Sequence, residues 1–331
     1  MDLKGQIALV AGATRGAGRG VARALAEAGA TVYCTGRSTA GKPSPYKRPE
    51  TIDETAAMIA AAGGHAIAVR VDHAVEAEVE ALAARIVKEQ GRLDILVNSI
   101  AGEDPLMGQW ASFWKVNLAK ADQALRQSLV SHIITAKHVA PIMIERKRGL
   151  IVEITENDSL GGGGNPLAWS VKLAVKGLAL NMAGELYEHG VTAVAITPGF
   201  LRSESMLEGL KVIEANWRDA GKDDSNFLES ESPLYVGRAV TALAADPRMF
   251  DRTGQLWSSW ELSRVYGFTD ADGRRPDWGA RAIDFSMLPP SFLEMFRTGL
   301  RLQQQWLGRL QQNTARLMGQ LPPEHPSTTG V

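Results

Sequence analysis

The chain has 331 residues, 45% hydrophobic and 22% charged, with a formal net charge of −1. Such usage supports a large globular core, and the near-zero charge argues against a nucleic-acid partner. A single cysteine, Cys34, excludes an internal disulfide framework or cysteine metal cluster and fits a reducing, cytoplasmic setting. No apolar run approaches the roughly 18 residues of a membrane span, and Met1–Gln6 lack the apolar region of a signal peptide.

Ile7–Val10 is a short apolar run, the pattern of a strand buried on both faces. It leads into Gly12, Gly16 and Gly18 and then the helix-forming run Val21–Ala26. A strand, a glycine turn and a helix N-terminus in that order make an anion site. Bare backbone admits a pyrophosphate, and the unpaired N–H groups and positive dipole end of the helix face it. Gly12, Thr14, Arg15, Gly16, Ala17 and Gly18 are therefore expected to hold dinucleotide phosphates, in a G-x-x-x-G-x-G spacing rather than the common G-x-G-x-x-G. Thr31–Thr35 is a second strand, ending at Gly36-Arg37-Ser38. A ribose site of the NAD type carries Asp or Glu about 20 residues past the turn. Arg37 and Ser38 hold that slot here and Arg15 lies in the loop; two guanidinium groups suit a 2′-phosphate, so NADP(H) is expected over NAD(H).

Ala40–Glu50 reads as a Pro-rich basic loop, Thr51–Ala62 as a helix, and His65–Val71 as a third strand ending at Asp72-His73, a polar pair placed to touch an adenine. Val75–Gln90 is a helix and Leu93–Val97 a fourth strand leading to Asn98-Ser99. Strands alternating with helices imply right-handed βαβ units: a Rossmann-type, doubly wound α/β fold, its parallel sheet of about seven strands covered by helices on both faces.

Ile100–Leu118 is irregular and aromatic, with Trp110, Phe113 and Trp114. A long helix over about Lys120–Arg146 contains Pro141, which should kink it or end its regular part, and precedes a fifth strand at Leu150–Thr155. After the polar-glycine loop Glu156–Gly164 come a helix from about Pro166 to Glu188 and a sixth strand at Val191–Thr197. Pro198-Gly199-Phe200 breaks the chain, and the polar segment Leu201–Pro233 has the composition of a substrate lid. A helix over Leu234–Ala244 and a strand near Gln255–Trp257 complete the sheet. The aromatic loop and the lid point to an apolar small-molecule substrate. His132 and His138, six residues apart, are too far round a helix for an i,i+4 metal pair, and no metal site is expected.

Beyond Pro289-Pro290, Ser291–Gly319 reads as one amphipathic helix. Leu293, Phe296, Leu300, Gln303, Leu307, Leu310, Thr314 and Leu317 alternate spacings of three and four. Arg297, Arg301, Arg309 and Arg316 against Glu294 make it basic. The spacing favours packing against its own body or a second subunit; attachment to an anionic membrane surface is the alternative. The domain plan is a nucleotide-binding domain over residues 1–265 and a C-terminal extension over 266–331 with its helix at about 291–319, ending in a polar tail, His325–Val331, that reads as disordered.

The order and spacing of several pieces resemble the short-chain dehydrogenase/reductase family over about residues 4–265. They are the Gly12/Gly16/Gly18 turn, the Asp72 strand end, Val97-Asn98-Ser99, the helix around Lys172, and Pro198-Gly199-Phe200-Leu201-Arg202-Ser203. Gly36-Arg37-Ser38 resembles the NADP(H)-type variant. Arg37–Glu50, Gly149–Thr155 and Arg264–Gly273 look like the dehydrogenase/reductase member-1-like branch, which also carries a C-terminal extension. The resemblance implies hydride transfer between a nicotinamide and an alcohol or carbonyl carbon, in a homodimer or homotetramer. It places Asp72, His73, Asn98, Ser99, Pro198, Gly199 and the hydroxyl of Ser203 at the cofactor, and Lys172 at its ribose. Ser203 also suits a helix N-cap.

The family's proton donor is the tyrosine of a Tyr-x-x-x-Lys pair, its pKa lowered by the nearby lysine. Here Ala168 stands four residues before Lys172, and none of the five tyrosines has a lysine four residues on. The family's serine falls on Thr155 when counted back from residue 168, or on Glu156 when the strand end is matched; its asparagine falls on Ser128. Two functions follow. One is an NADP(H)-dependent oxidoreductase with an atypical or impaired proton donor, with Glu156 or Asp158 serving if burial raised its pKa. The other is a nicotinamide-binding protein with little or no turnover, serving interaction or sensing.

Overall fold

The computed structural model describes residues 1–44, 46–101, 113–156, 166–280 and 290–318. Its strands are β1 (Ile7–Ala11), β2 (Thr31–Gly36), β3 (His65–Arg70), β4 (Ile95–Asn98), β5 (Gly149–Ile154), β6 (Val191–Thr197) and β7 (Leu256–Ser258). They form one seven-stranded sheet in the order β3-β2-β1-β4-β5-β6-β7, every pairing parallel. The order reverses between β1 and β4, in register at Ala8↔Ile95 and Ala11↔Asn98. In an open α/β sheet that reversal opens a crevice beyond the carboxyl ends of the strands.

The helices are α1 (Gly16–Glu27), α2 (Ile52–Ala61), α3 (Glu76–Gln90), α4 (Leu118–Leu125), α5 (Ser131–Glu145), α6 (Pro166–Leu186), α7 (Glu204–Gly209), α8 (Pro233–Ala245), α9 (Ser259–Tyr266) and α10 (Pro290–Leu317). Successive strand residues feed opposite cores. Val10, Val32, Val97, Val152 and Val194 pack with Val21 and Leu25 of α1 and Val236 and Val240 of α8. Leu9, Leu96, Ile151 and Ala193 pack with Leu82 and Ile86 of α3 and Val139 and Met143 of α5. The central strands are covered on both faces, so β1 and β6 read as unbroken buried runs.

Two glycines let α1 and α8 cross at backbone distance: a Cβ on Gly20 would stand 1.8 Å from the Pro233 carbonyl, and one on Gly237 2.4 Å from that of Gly20. The crossing brings the segment ahead of α8 beside the glycine turn. Pro141 does not end its helix. It costs the bond to the carbonyl four residues back, yet α5 runs on to Glu145, and the irregularity falls earlier, in a π turn at Arg126–Val130 between α4 and α5.

The chain divides into two compact units, residues 1–158 with 165–283, and residues 159–164 with 284–331. In the first, packing continues past residue 265: Phe268 is buried against Tyr235, and Arg238 donates to the carbonyls of Thr269 and Asp270. The second is described through α10. Trp110, Asp158, Gly319 and the tail His325–Val331 lie outside the described residues. No described helix is long and apolar enough to cross a membrane.

Candidate functional site

The glycine turn closes β1 onto α1 as the spacing requires. Gly12 and Ala13 donate their N–H groups to the Thr35 carbonyl at 3.0 and 2.9 Å. Gly12 has φ +90°, and a Cβ on Gly18 would lie 2.1 Å from the Gly12 carbonyl, so only bare backbone closes this turn. Arg15 is the N-cap of α1 in extended conformation and supplies no side-chain cap. The Gly16 N–H instead donates to Glu204 Oε2 at 2.8 Å, and Glu204 Oε1 lies 3.2 Å from Arg19 Nη1. A carboxylate thus stands on the helix N-terminus, the place where a phosphate oxygen suits the same donor and dipole. Ser203, N-cap of α7, adjoins it: a Cβ on Gly16 would be 3.7 Å from that of Ser203. Residues 187 positions apart meet here, so the donor set fits a bound dinucleotide.

Arg15 lies in this turn and Arg37 follows the end of β2, each with a local partner. Arg15 Nη1 is 3.8 Å from Glu50 Oε2, and the Arg37 guanidinium lies 5.7 Å from the Tyr46 ring centre. Arg48 is committed elsewhere, to Glu50 and Glu208. Ser38 is buried, its carbonyl accepting from Ile52 N–H at the start of α2. Asp72 is half-buried, its Oδ1 accepting from Ala74 N–H at 3.1 Å.

His73 differs from expectation. Its ring is 4% exposed, with Nε2 2.8 Å from Thr35 Oγ1 and Nδ1 2.8 Å from Thr135 Oγ1. Both nitrogens are used inside the domain, and burial, followed by the charge of His132, pushes the imidazole down to about 3. A neutral, enclosed ring has no face left for an adenine, which leaves Asp72 as the accessible member of the pair.

Asn98 is likewise turned inward. Its Nδ2 donates to Glu153 Oε1 at 2.8 Å, and the whole residue is buried within the sheet. Ser99, beside it, donates its N–H to the Ala11 carbonyl. Glu153 Oε2 lies 2.5 Å from His132 Nδ1, and His132 Nε2 is 2.9 Å from the Ile100 carbonyl. Sequence reading missed this buried triad. Glu153 sits in an apolar strand run, and that lone acid in β5 was the one available signal.

On the reacting side, Ser128 is buried in the middle of the π turn. Thr155 is buried and donates its hydroxyl to the Lys172 carbonyl at 2.9 Å, tying the end of β5 to α6. Glu156, the next residue, is exposed. Both lie past the end of β5, where the chain turns Thr155 inward and leaves Glu156 in solvent. Ala168 is half-buried on α6, one turn before Lys172, whose charge reaches His132. No cluster of acids, histidines or cysteine suited to a metal occurs among the described residues.

Pro198-Gly199 is held by a residue that the motifs did not flag. Glu231 Oε2 accepts from Gly199 N–H at 2.8 Å and from Ser259 Oγ at 2.5 Å, while Oε1 has no partner among the described residues. Its backbone bridges the same segment, Glu231 N–H to the Phe200 carbonyl and Arg202 N–H to its own. Burial pushes the carboxyl up to about 8, with Asp270 adding and the Ser259, Gly199 and Arg202 contacts opposing. Unfolded, such a group ionises near 4.5. Its contribution to stability is therefore complete below that pH and is lost as pH rises to about 8. Glu231→Gln, which cannot ionise, should lose less stability across this window than the wild type, read as urea midpoints at successive pH values; parallel curves would place the titration elsewhere.

A family model described as short chain dehydrogenase matches residues 6–210. The chain is 35% identical over 277 residues to "Dehydrogenase/reductase SDR family member 1" of Mus musculus, covering 82% of this chain and 85% of that protein. In fold it is similar to a 7 alpha-hydroxysteroid dehydrogenase solved with NADH and 7-oxo glycochenodeoxycholic acid, at a TM-score of 0.64 and 24% identity over 84% of this chain and 97% of that one. It is also similar to a metagenomic short-chain oxidoreductase solved with NADP, at a TM-score of 0.58 and 24% identity, over 77% and 96% of the two chains.

Proposed function

The chain belongs to the short-chain dehydrogenase/reductase family, oxidoreductases acting on CH–OH groups with NAD(P), and we propose that it is an NADP(H)-dependent member interconverting an alcohol and a carbonyl with an atypical or impaired proton donor. The observation that carries this reading is the carboxylate of Glu204 on the Gly16 N–H, with Ser203 adjoining and Arg19 paired to it: an anion cradle at the N-terminus of α1. The solved neighbours hold NADH in one case and NADP in the other, so the preference rests on Arg15 and Arg37.

When bound, the nicotinamide supplies or accepts the hydride. The backbone of Gly12–Gly18 holds the phosphates, Arg15 and Arg37 the 2′-phosphate, Asp72 the adenine side, and Ser99 the strand end beneath. Pro198, Gly199 and Ser203 bind the carboxamide, and Lys172 the ribose. Ser128 and Thr155 flank the reacting oxygen. None of these replaces the missing phenol. The second reading, a cofactor-binding protein with little or no turnover, is favoured by Ala168 alone. The substrate is a small, apolar alcohol or carbonyl, and the setting a cytoplasmic homodimer or homotetramer.

Arg37→Asp tests the cofactor. Charge-assisted hydrogen bonds contribute about 1.5–3 kcal/mol, so NADPH binding, followed by fluorescence, should weaken about 10- to 100-fold while NADH binding changes little. Equal losses for both would remove Arg37 from the ribose slot. A carbonyl-reduction screen of the wild type separates the two functional readings: turnover supports the enzyme, and binding without turnover supports the alternative.

A further inference from the structure

Helix α10 carries an apolar face open to solvent. Leu302, Trp306 and Leu310 recur every fourth residue along one ridge, and Leu307 and Met318 follow a neighbouring ridge; they are 60%, 52%, 47%, 41% and 66% exposed. Two ridges make a face broader than the narrow seam of a two-stranded coiled coil.

The charges are placed to match. Within the helix, four arginines stand against one acid, Glu294, which pairs with Arg301 at 2.9 Å on the polar side. By helical position Arg309 borders the Leu302–Trp306–Leu310 ridge, and Arg297 lies beyond the Leu307–Met318 ridge, both outside the apolar face. Cations on both flanks can lay their apolar stems along a lipid boundary with the guanidinium heads among phosphates. The same borders disfavour a second copy of the face, because docking two copies sets arginine beside arginine without the complementary acids that flanking coiled-coil positions use. No described helix is long and apolar enough to span a bilayer, so the surface is the only depth open to this one.

We propose that α10 binds in the plane of an anionic phospholipid surface, with Leu302, Trp306, Leu307 and Leu310 in the acyl boundary and the arginines at the headgroups. The bilayer is the occupant of the face, and α10 attaches the chain to it reversibly.

The test is co-sedimentation of the full chain with vesicles of phosphatidylcholine alone and of phosphatidylcholine containing phosphatidylglycerol. The mixed vesicles should bind at least about tenfold more tightly, and binding should fall with added salt. Leu302→Gln with Leu310→Gln should abolish sedimentation without shifting the unfolding temperature. Failure of the wild type to sediment with the anionic vesicles overturns the proposal. So does a dimer, seen by light scattering without vesicle binding, that the same two substitutions dissolve; that outcome assigns the face to a second copy of the chain.

Discussion

Ala168→Tyr is expected to raise NADPH-dependent carbonyl reduction by about 10²–10⁴-fold, the range that a positioned general acid supplies. The backbone for it is present. Residue 168 lies half-buried on α6, one turn before Lys172, and Thr155 is fastened to that same turn through its hydrogen bond to the Lys172 carbonyl. A phenol added there would sit on the helix face that carries the lysine, where a neighbouring cation lowers its pKa. The binding half of the site would be untouched, because the glycine turn, Ser203 and Pro198-Gly199 come from other segments. The measurement is kcat for the wild type and variant on the same carbonyl, beside NADPH affinity for both. A rise in kcat at unchanged affinity would mean that only the donor is missing. A measurable kcat that does not change would mean that the wild type already owns a donor, and Glu156 and Asp158 are then the first residues to substitute.

The fold was legible because its signals are local. The buried run Ile7–Val10, the glycines after it and the alternation of strands with helices each report on a few neighbouring residues, and together they fix a doubly wound sheet. Spacing alone assigns Lys172 and Ser128 to family positions and leaves Thr155 and Glu156 as alternatives for a third. What spacing could not convey is which way a polar side chain turns. His73 and Asn98 sit at strand ends, where a ligand contact is the usual expectation, yet each points inward to partners supplied by distant segments: Thr35 and Thr135 in one case, Glu153 in the other. Glu231 was invisible for the same reason. It lies in a polar lid-like stretch, and only the return of that stretch to Gly199 gives its carboxylate a task. Pro141 shows the converse: as a signal for ending a helix it is overruled by the buried face of α5 around it.

His132→Ala should cost about 3–5 kcal/mol of stability, the expense of leaving one partner of a buried ion pair behind. His132 is 1% exposed and Glu153 fully buried. A carbonyl only accepts, so the 2.9 Å contact with Ile100 requires a proton on Nε2, and the carboxylate facing Nδ1 at 2.5 Å favours a second. Burial alone would lower the imidazole pKa; the charge and hydrogen bond of Glu153 outweigh it, and the value lies above the usual one of 6.5. A histidine with a raised folded pKa contributes stability that is complete below its unfolded value and lost as pH rises through the folded one. The difference between wild type and His132→Ala should therefore be largest in mild acid and shrink as the solution becomes alkaline. Removing both charges together, as His132→Leu with Glu153→Leu, should cost much less than the sum of the single changes, since neither orphan remains. Urea unfolding of the wild type, His132→Ala, the two single Leu variants and the double variant at several pH values reads both effects. Additive losses that ignore pH would mean the pair is neutral and acts by packing alone, and the inward turn of Asn98 would then owe nothing to a charge on Glu153.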